Sequence, residues 1–512
     1  MGDNANLYAH YQQHFPTNLD TQLLVTADGR SITYGEADAA SARIANSLVK
    51  LGALPGDRIT VQVEKSVENL CLYLACLRAG LVYHPLNTAY TAAELAYFLS
   101  NAEPTVVICA GDAISTIESV LPEQGVKAVL SLDADGGGRL MELAAQAVAV
   151  ADVAHCDGSQ MAALLYSSGT TGRPKGIMLS HDNLRANAET LVDIWGFSAS
   201  DRLLHMLPIY HVHGLFVAVS CVLLSGASMS WHSAYSDKAA VAAMPDCTVM
   251  MGVPTYYTRL LSNPDFRPVC CANMRLFISG SAPLLPETFV EFEARTGHTI
   301  LERYGMSETG MNTSNPLHGE RRAGTVGPAL PGVTVRIVDD AGDQLDDGKI
   351  GNLQVKGPNV FTGYWHMPEK TAEDFTDDGF FNTGDKATTD ADGYVSIVGR
   401  AKDLVICGGL NVYPKEIEIV IDDMAGVKES AVIGVPHADF GEAVVAVIVG
   451  EAASSAVSVP TAEEVIAHCR ALLANFKVPK RVERVDALPR NAMGKVQKNV
   501  LRERFSVAGE LM

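Results

Sequence analysis

Residues 161–176 read MAALLYSSGTTGRPKG: an apolar run, then a loop carrying three glycines, four Ser/Thr residues and one lysine. A loop of this composition lets backbone N–H groups converge on phosphate oxygens, because glycine imposes no side chain and few dihedral limits. Ser167, Ser168, Thr170 and Thr171 supply further donors, and Lys175 supplies charge. The spacing does not fit G-x-x-x-x-G-K-[ST], so this is not a Walker A loop.

Outward from this loop, strand-like and helix-like segments alternate. Residues 33–52 form an amphipathic helix, with Thr33 and Glu36 as its capping box, apolar residues at steps of three and four, and Gly52 as its stop. ITVQV (59–63), TVVIC (105–109) and MRLFISG (274–280) read as strands, PETFVEFEARTG (286–297) as a helix, and TILERYG (299–305) as another strand. This alternation predicts layered α/β structure with mostly parallel sheets. After about residue 320 the segments VTVRIVDD, GNLQVKGPNV and GYVSIVGR become short and Gly- and Asp-punctuated, which predicts a β-rich subdomain. From about residue 403 a tail with a second capping box, Thr461 and Glu464, has the length of an independent α+β domain.

The 512 residues suggest about three compact units, or two if one is large. Hydrophobic residues at 47% and charged residues at 19% exclude a mainly disordered chain. The net charge of −20 argues against nucleic-acid binding, while leaving room for a local basic pocket. Ten cysteines without a C-x-x-C pair, most in apolar runs, read as reduced, buried thiols. MGDNANLYAHYQQHF resembles neither a signal nor a transit peptide, and the apolar run 215–229 is too short to span a bilayer. A soluble cytoplasmic protein is expected.

Further motifs lie downstream in a fixed order: YGMSET (304–309), TGD (383–385), GRAKD (399–403), GGLNVYPKEIE (408–418) and PRNAMGK (489–495). With YSSGTTGRPKG they resemble the adenylate-forming superfamily of acyl-CoA synthetases, adenylation domains and luciferases, over about residues 30–505. Ser167 and Ser307 stand where the family usually or often has Thr, and both keep the hydroxyl. The resemblance implies a large N-terminal domain (1–399) of layered α/β subdomains plus the β-rich subdomain. A hinge at 400–403 and a small, mobile α+β domain at 404–512 would follow. It implies ATP, Mg²⁺ and CoA as cofactor and co-substrates. A carboxylate attacks the α-phosphate of ATP to give an acyl-adenylate and pyrophosphate, and a thiol then displaces AMP.

The same resemblance assigns roles residue by residue. Lys495 approaches the carboxylate and α-phosphate, where two anions must be neutralised. It is also a candidate for a protein lysine acetyltransferase, since acetylation removes its charge. Glu308 is the Mg²⁺ ligand, and Mg²⁺ favours one or two carboxylates plus phosphate oxygens and water. Thr170 and Ser307 meet phosphate, Thr170 on the metal side. The nucleotide loop comprises Ser167, Ser168, Gly169, Thr170, Thr171, Gly172 and Lys175. Tyr304 stacks on adenine, against the backbone of Gly280, Ser281, Ala282 and Pro283, with Gly305 and Met306 beside it. Asp385 and Arg400 take the ribose. Gly408 and Gly409 leave a channel for the pantetheine arm, and Lys402 is the hinge.

For the acid, LPIYHVHGLF (207–216), MGVPTYYTRLL (251–261), MRLFISGSAPLL (274–285) and ERYGMSETGMNTSNP (302–316) most resemble the malonyl-CoA synthetases within that superfamily. His211, Val212, Ser279 and Met311 are candidate pocket walls, and the two histidines His211 and His213 read as packing rather than metal ligands. Arg259 is expected to meet a second carboxylate, because a guanidinium in an acyl pocket is costly without an anion. The implied substrate is malonate or a similar small dicarboxylate. Alternatives are another small acid (methylmalonate, oxalate or a short monocarboxylate) or the loading of a carrier protein. A monomer or homodimer is expected, with no nucleic-acid or membrane partner.

Overall fold

The computed structural model describes residues 4–168, 174–282, 284, 286–400, 405–412, 414–450, 458–489 and 496–506. The chain divides into two compact units. One comprises Met1–Thr88, Leu99–Leu165 and Gly176–Gly399, the other Ala89–Phe98, Tyr166–Lys175 and Arg400–Met512.

The first unit is layered α/β. The labelled elements, in chain order, are α1 (His181–Trp195), β1 (Arg202–His205), β2 (Val249–Gly252), α2 (Pro254–Ser262), β3 (Leu276–Ser279), β4 (Leu301–Met306), β5 (Gly310–Ser314) and β6 (Phe381–Thr389). An eight-stranded sheet runs β5-β4-β3-β2-β1, then Ser228–Trp231, Gln22–Thr26 and Ser31–Thr33. β4, β3, β2 and β1 are mutually parallel, and only the β4–β5 hairpin and the Gln22–Ser31 end are antiparallel. Parallel strands are buried on both faces, which is why Val249–Gly252 and Leu276–Ser279 are continuous apolar runs. A seven-stranded sheet contains Arg58–Gln62, Val82–Pro85, Val106–Cys109, Ala128–Ser131 and Met161–Ser168, and the β-rich subdomain is a four-stranded antiparallel sheet including β6.

The expected helix forms at Tyr34–Lys50. Thr33 Oγ accepts from the Glu36 N–H and the Glu36 carboxylate accepts from the Thr33 N–H, so two orphan donors are satisfied reciprocally. Its apolar face, including Ala37, Ile44 and Leu48, enters the core that runs between the two large sheets. Trp195 at the end of α1 is fully buried and donates through its indole N–H to Ser314 Oγ at 3.0 Å, tying α1 to β5. All ten cysteines are free, nine of them buried, with Cys270 half-buried. Among the described residues no helix is long and apolar enough to cross a membrane.

The second unit holds a five-stranded sheet of Leu410–Val412, Val405–Cys407, Gly441–Gly450, Val427–His437 and Arg481–Arg484. Strand alternation sends Ala431, Ile433 and Val435 to one face with Leu501 and Phe505, and Val432 to the other with Ile417, Ile421 and Val465. Lys477 is buried and donates to Glu416 Oε1 at 2.6 Å and Glu94 Oε1 at 2.7 Å. Beside them Thr91 Oγ1 donates to the Leu472 carbonyl at 2.7 Å, so Ala89–Phe98 is stitched into this unit by charge as well as packing.

Candidate active site

Parallel strands deliver their carboxyl ends to one edge of the eight-stranded sheet, the usual place for ligands in open α/β architectures. At this edge β2 ends at Gly252, β3 ends at Ser279, and β4 continues through Arg303 to Tyr304. Gly280 follows β3, and a Cβ there would lie 2.4 Å from Arg303 Cζ. Only glycine lets the backbone lie against that guanidinium. Ser281 adopts φ 72°, a left-handed conformation uncommon for a residue with a side chain, and its Oγ lies 3.3 Å from His213 Nδ1. His213 opens a π-helical stretch, His213–Val219, a form that concentrates at functional sites.

The electrostatics of this edge are one-sided. Arg303 is only 3% exposed, and among the described residues its Nε and Nη2 have no hydrogen-bond partner. The same holds for Ser279 Oγ and His213 Nε2. Burial pulls the Arg303 guanidinium down to about 10, with the nearby Tyr257 phenol acting the other way. Burial, then Arg303, holds His211 down at about 4. His213 is pushed well below the ordinary imidazole range by burial, then Arg303, His211 and His205. Both imidazoles are therefore neutral at pH 7, and the cluster carries one permanent positive charge. Buried polar groups are normally paired, so two unpaired donor side chains beside an unsatisfied cation describe a site prepared for an anion.

The nucleotide-type residues gather on the β4–β5 hairpin and β6. Tyr304 donates its hydroxyl to Asp385 Oδ2 at 2.5 Å, and Asp385 is 2% exposed. Asp385 N–H is fixed by Thr383 Oγ1, which donates in turn to the Leu353 carbonyl. Glu308 sits in the turn between β4 and β5, is buried, and accepts from Tyr364 Oη at 3.5 Å. Its backbone carbonyl accepts from Phe361 N–H at 2.7 Å. One buried carboxylate in a fixed turn suits Mg²⁺, which completes its shell with phosphate oxygens and water rather than a protein cage. Among the described residues no group of three or more His, Cys, Asp or Glu could hold a metal. A Cβ on Gly305 would lie 2.1 Å from the Gly310 carbonyl and 2.5 Å from Met311 Cε, so the hairpin closes only with glycine there. Met306, Ser307 and Ala282 are half-buried nearby in the chain.

The remaining expected residues fall in three groups. Val212 and Met311 are buried in the first unit's core cluster. In the second unit Lys175 is buried, and Gly408 and Gly409 make the turn between Val405–Cys407 and Leu410–Val412 at φ 59° and 80°. Gly169, Thr170, Thr171, Gly172, Pro283, Lys402 and Lys495 lie outside the described residues, and Ser167, Ser168 and Arg400 are described only through their strands.

Arg259 stands apart from this buried cluster. α2 buries Tyr257, Leu260 and Leu261, and this helical phase turns Arg259 to the exposed side, where it acts electrostatically on Tyr235 and Tyr256. Among the described residues the buried guanidinium with unsatisfied donors is that of Arg303, which the sequence motifs do not single out. One signal for it is local: TILERYG places two charged residues, Glu302 and Arg303, in the strand beside the largely apolar β3.

The chain matches the family model of the AMP-binding enzyme over residues 12–365 and that of the AMP-binding enzyme C-terminal domain over 416–495. It is similar to the ATP-bound crystal structure of MatB from Rhodopseudomonas palustris, at 52% identity and TM-score 0.78, covering 98% of this chain and 99% of that one. It is also similar to a malonyl-CoA ligase solved as a ternary product complex with methylmalonyl-CoA and AMP, at 36% identity and TM-score 0.80, over 94% and 99%. A malonate–CoA ligase of Arabidopsis thaliana is 33% identical over 95% of this chain and 87% of its own.

Proposed function

The chain belongs to the AMP-binding enzyme family, and from that premise we propose that this AMP-forming ligase joins malonate to CoA. A malonate oxygen attacks the α-phosphorus of ATP; the new P–O bond forms as the bond to the bridging oxygen breaks and pyrophosphate leaves. The CoA thiolate then attacks the acyl carbon of malonyl-AMP, and AMP departs with the bonding electron pair of the C–O bond. The products are malonyl-CoA, AMP and pyrophosphate.

The observation that carries the malonate reading is Arg303, a buried guanidinium with donors unpaired among the described residues and no carboxylate among the described charges acting on it. A monocarboxylic acid has one anionic group, which the chemistry consumes. A dicarboxylate brings a second, and Arg303 with Ser279 and His213 provides a charge and two hydrogen-bond donors to receive it. His211, Val212, Met311 and, from its exposed helix turn, Arg259 complete the acid-binding set.

Lys495 supplies the cation of the first step, with Ser168, Thr170, Ser307 and Lys175 on the phosphates. Asp385 and Arg400 hold the ribose, and Tyr304 the adenine. Glu308 holds Mg²⁺, which neutralises phosphate charge when bound. Gly408 and Gly409 leave room for pantetheine. The domain division 1–399 and 404–512 with its hinge at Lys402, a cytoplasmic location, a monomeric or homodimeric state and acetylation of Lys495 by a protein lysine acetyltransferase belong to the same proposal. AMP release with free CoA, measured across malonate, methylmalonate, oxalate, succinate, acetate and butyrate, tests it. Malonate should give the highest kcat/KM; an equal or higher value for acetate or butyrate would refute the dicarboxylate reading.

A further inference from the structure

Asn187 lies on α1, 124 residues before Met311 in the chain, and is 6% exposed. Its side-chain amide pairs with Met311 as a neighbouring strand would. Nδ2 donates to the Met311 carbonyl at 2.9 Å, and the Met311 N–H donates to Oδ1 at 3.0 Å. Both backbone groups of one residue are thereby fixed by one side chain. Asn359 adds a second clamp, donating through Nδ2 to the Thr309 carbonyl at 2.7 Å and the Met311 carbonyl at 3.1 Å. Between them Gly310 adopts φ 57°, and a Cβ there would lie 2.6 Å from Asn187 Oδ1. The clamp closes only because that side chain is missing.

The clamped residue carries an adaptable side chain. Methionine has three rotatable bonds and ordinarily yields to whatever packs against it. Here its thioether end is folded over Gly305, and Met311 is 2% exposed. A wall that discriminates by one or two carbons must not move, and a methionine wall keeps its place only if its backbone is held.

We propose that Asn187 is a positioning residue that holds Met311 as a rigid wall of the acid site and so limits substituents on the acid's α-carbon. This rests on the malonate reading above, in which Met311 borders the acid. Discrimination by one methylene in an apolar pocket spans about ten- to two-hundred-fold, so releasing the clamp should erode preference by about ten-fold.

The test compares kcat/KM for malonate and ethylmalonate in the wild type, Asn187→Ala, Asn187→Asp, Met311→Ala and the Asn187→Ala/Met311→Ala double variant. Asn187→Ala should raise the ethylmalonate-to-malonate ratio about ten-fold, with KM for ATP nearly unchanged. Asn187→Asp keeps the acceptor for Met311 N–H and loses the donor, so it should shift the ratio partway and serves if the alanine variant does not fold. In the Met311→Ala background Asn187→Ala should add nothing. An unmoved ratio in folded Asn187 variants, or two effects that simply add, would overturn the proposal. A wild type that prefers another small acid would overturn the malonate reading instead; the clamp is then read on that acid and its 2-ethyl homologue.

Discussion

Replacing Arg303 by methionine should move stability and activity in opposite directions. The side chain is 3% exposed, and burial lowers its affinity for a proton from 12.5 to about 10. At about 1.4 kcal/mol per decade this corresponds to about 3 kcal/mol of disfavoured charge in the free protein. Methionine fills similar volume without a charge, and replacing buried charge by packed apolar groups is often stabilising by about 1–4 kcal/mol. Arg303→Met should therefore raise the unfolding free energy of the ligand-free protein by about 1–3 kcal/mol, measured by urea denaturation. The same change removes the partner of a bound carboxylate. Losing one member of a buried charge pair costs about 3–5 kcal/mol, which is about two to three and a half decades in kcat/KM for malonate. Arg303→Lys should fall between, keeping charge but losing the planar fork. A variant that is both less stable and fully active on malonate would mean that Arg303 is paired within the protein and spare in the site, and would overturn its assignment to the second carboxylate.

Three further expectations follow from other parts of the molecule. Lys495→Ala should cut acyl-adenylate formation by orders of magnitude while thioester formation from supplied malonyl-adenylate persists; equal loss in both half-reactions would argue against a lysine that serves one step. Lys477→Met leaves Glu94 and Glu416 buried without their cation and should cost about 3–5 kcal/mol of stability, largely restored when both become Gln; a single variant with wild-type unfolding would contradict the buried triad. Stability should also fall as pH drops from 6.5 toward 4. Burial lowers His84 to about 3 and His181 to about 4, and lowers His205 and His213 well below their usual range. The unfolded chain then binds more protons than the folded one, and the stability present above 6.5 is lost on acidification. Glu302, raised by burial to about 7, and Glu442, also raised by burial, act with the opposite sign, but the lowered imidazoles, His211 at about 4 among them, outnumber these two carboxyls. Flat denaturation midpoints between pH 7 and 5 would count against this.

Much of this architecture was legible locally. Thr33 with Glu36 and Thr461 with Glu464 cap the helices they were read to cap, because capping needs only residues three apart. The short Gly-punctuated segments after residue 320 form a β-rich subdomain, as their texture suggests, and its strands pair antiparallel. What escaped the reading is long-range. Arg303 is buried because Gly280, from another strand, lies on it. The Asn187–Met311 pair spans 124 residues, and the Lys477–Glu94 pair 383. No periodicity encodes such separations. Arg259 was legible in part: Tyr257, Leu260 and Leu261 mark the buried side of its helix and leave Arg259 on the exposed side.

The malonate reading stands on a buried cation, Arg303, that recognises a second carboxylate on the acid. The most direct measurement is kcat/KM of the wild-type enzyme for malonate beside its monoamide, which has nearly the same shape and one charge fewer. If Arg303 reads charge, the monoamide leaves it buried and unpaired, and its kcat/KM should be lower by about two to three and a half decades, from about 3–5 kcal/mol. Values within a factor of about three of each other, less than 1 kcal/mol at about 1.4 kcal/mol per decade, would contradict the account.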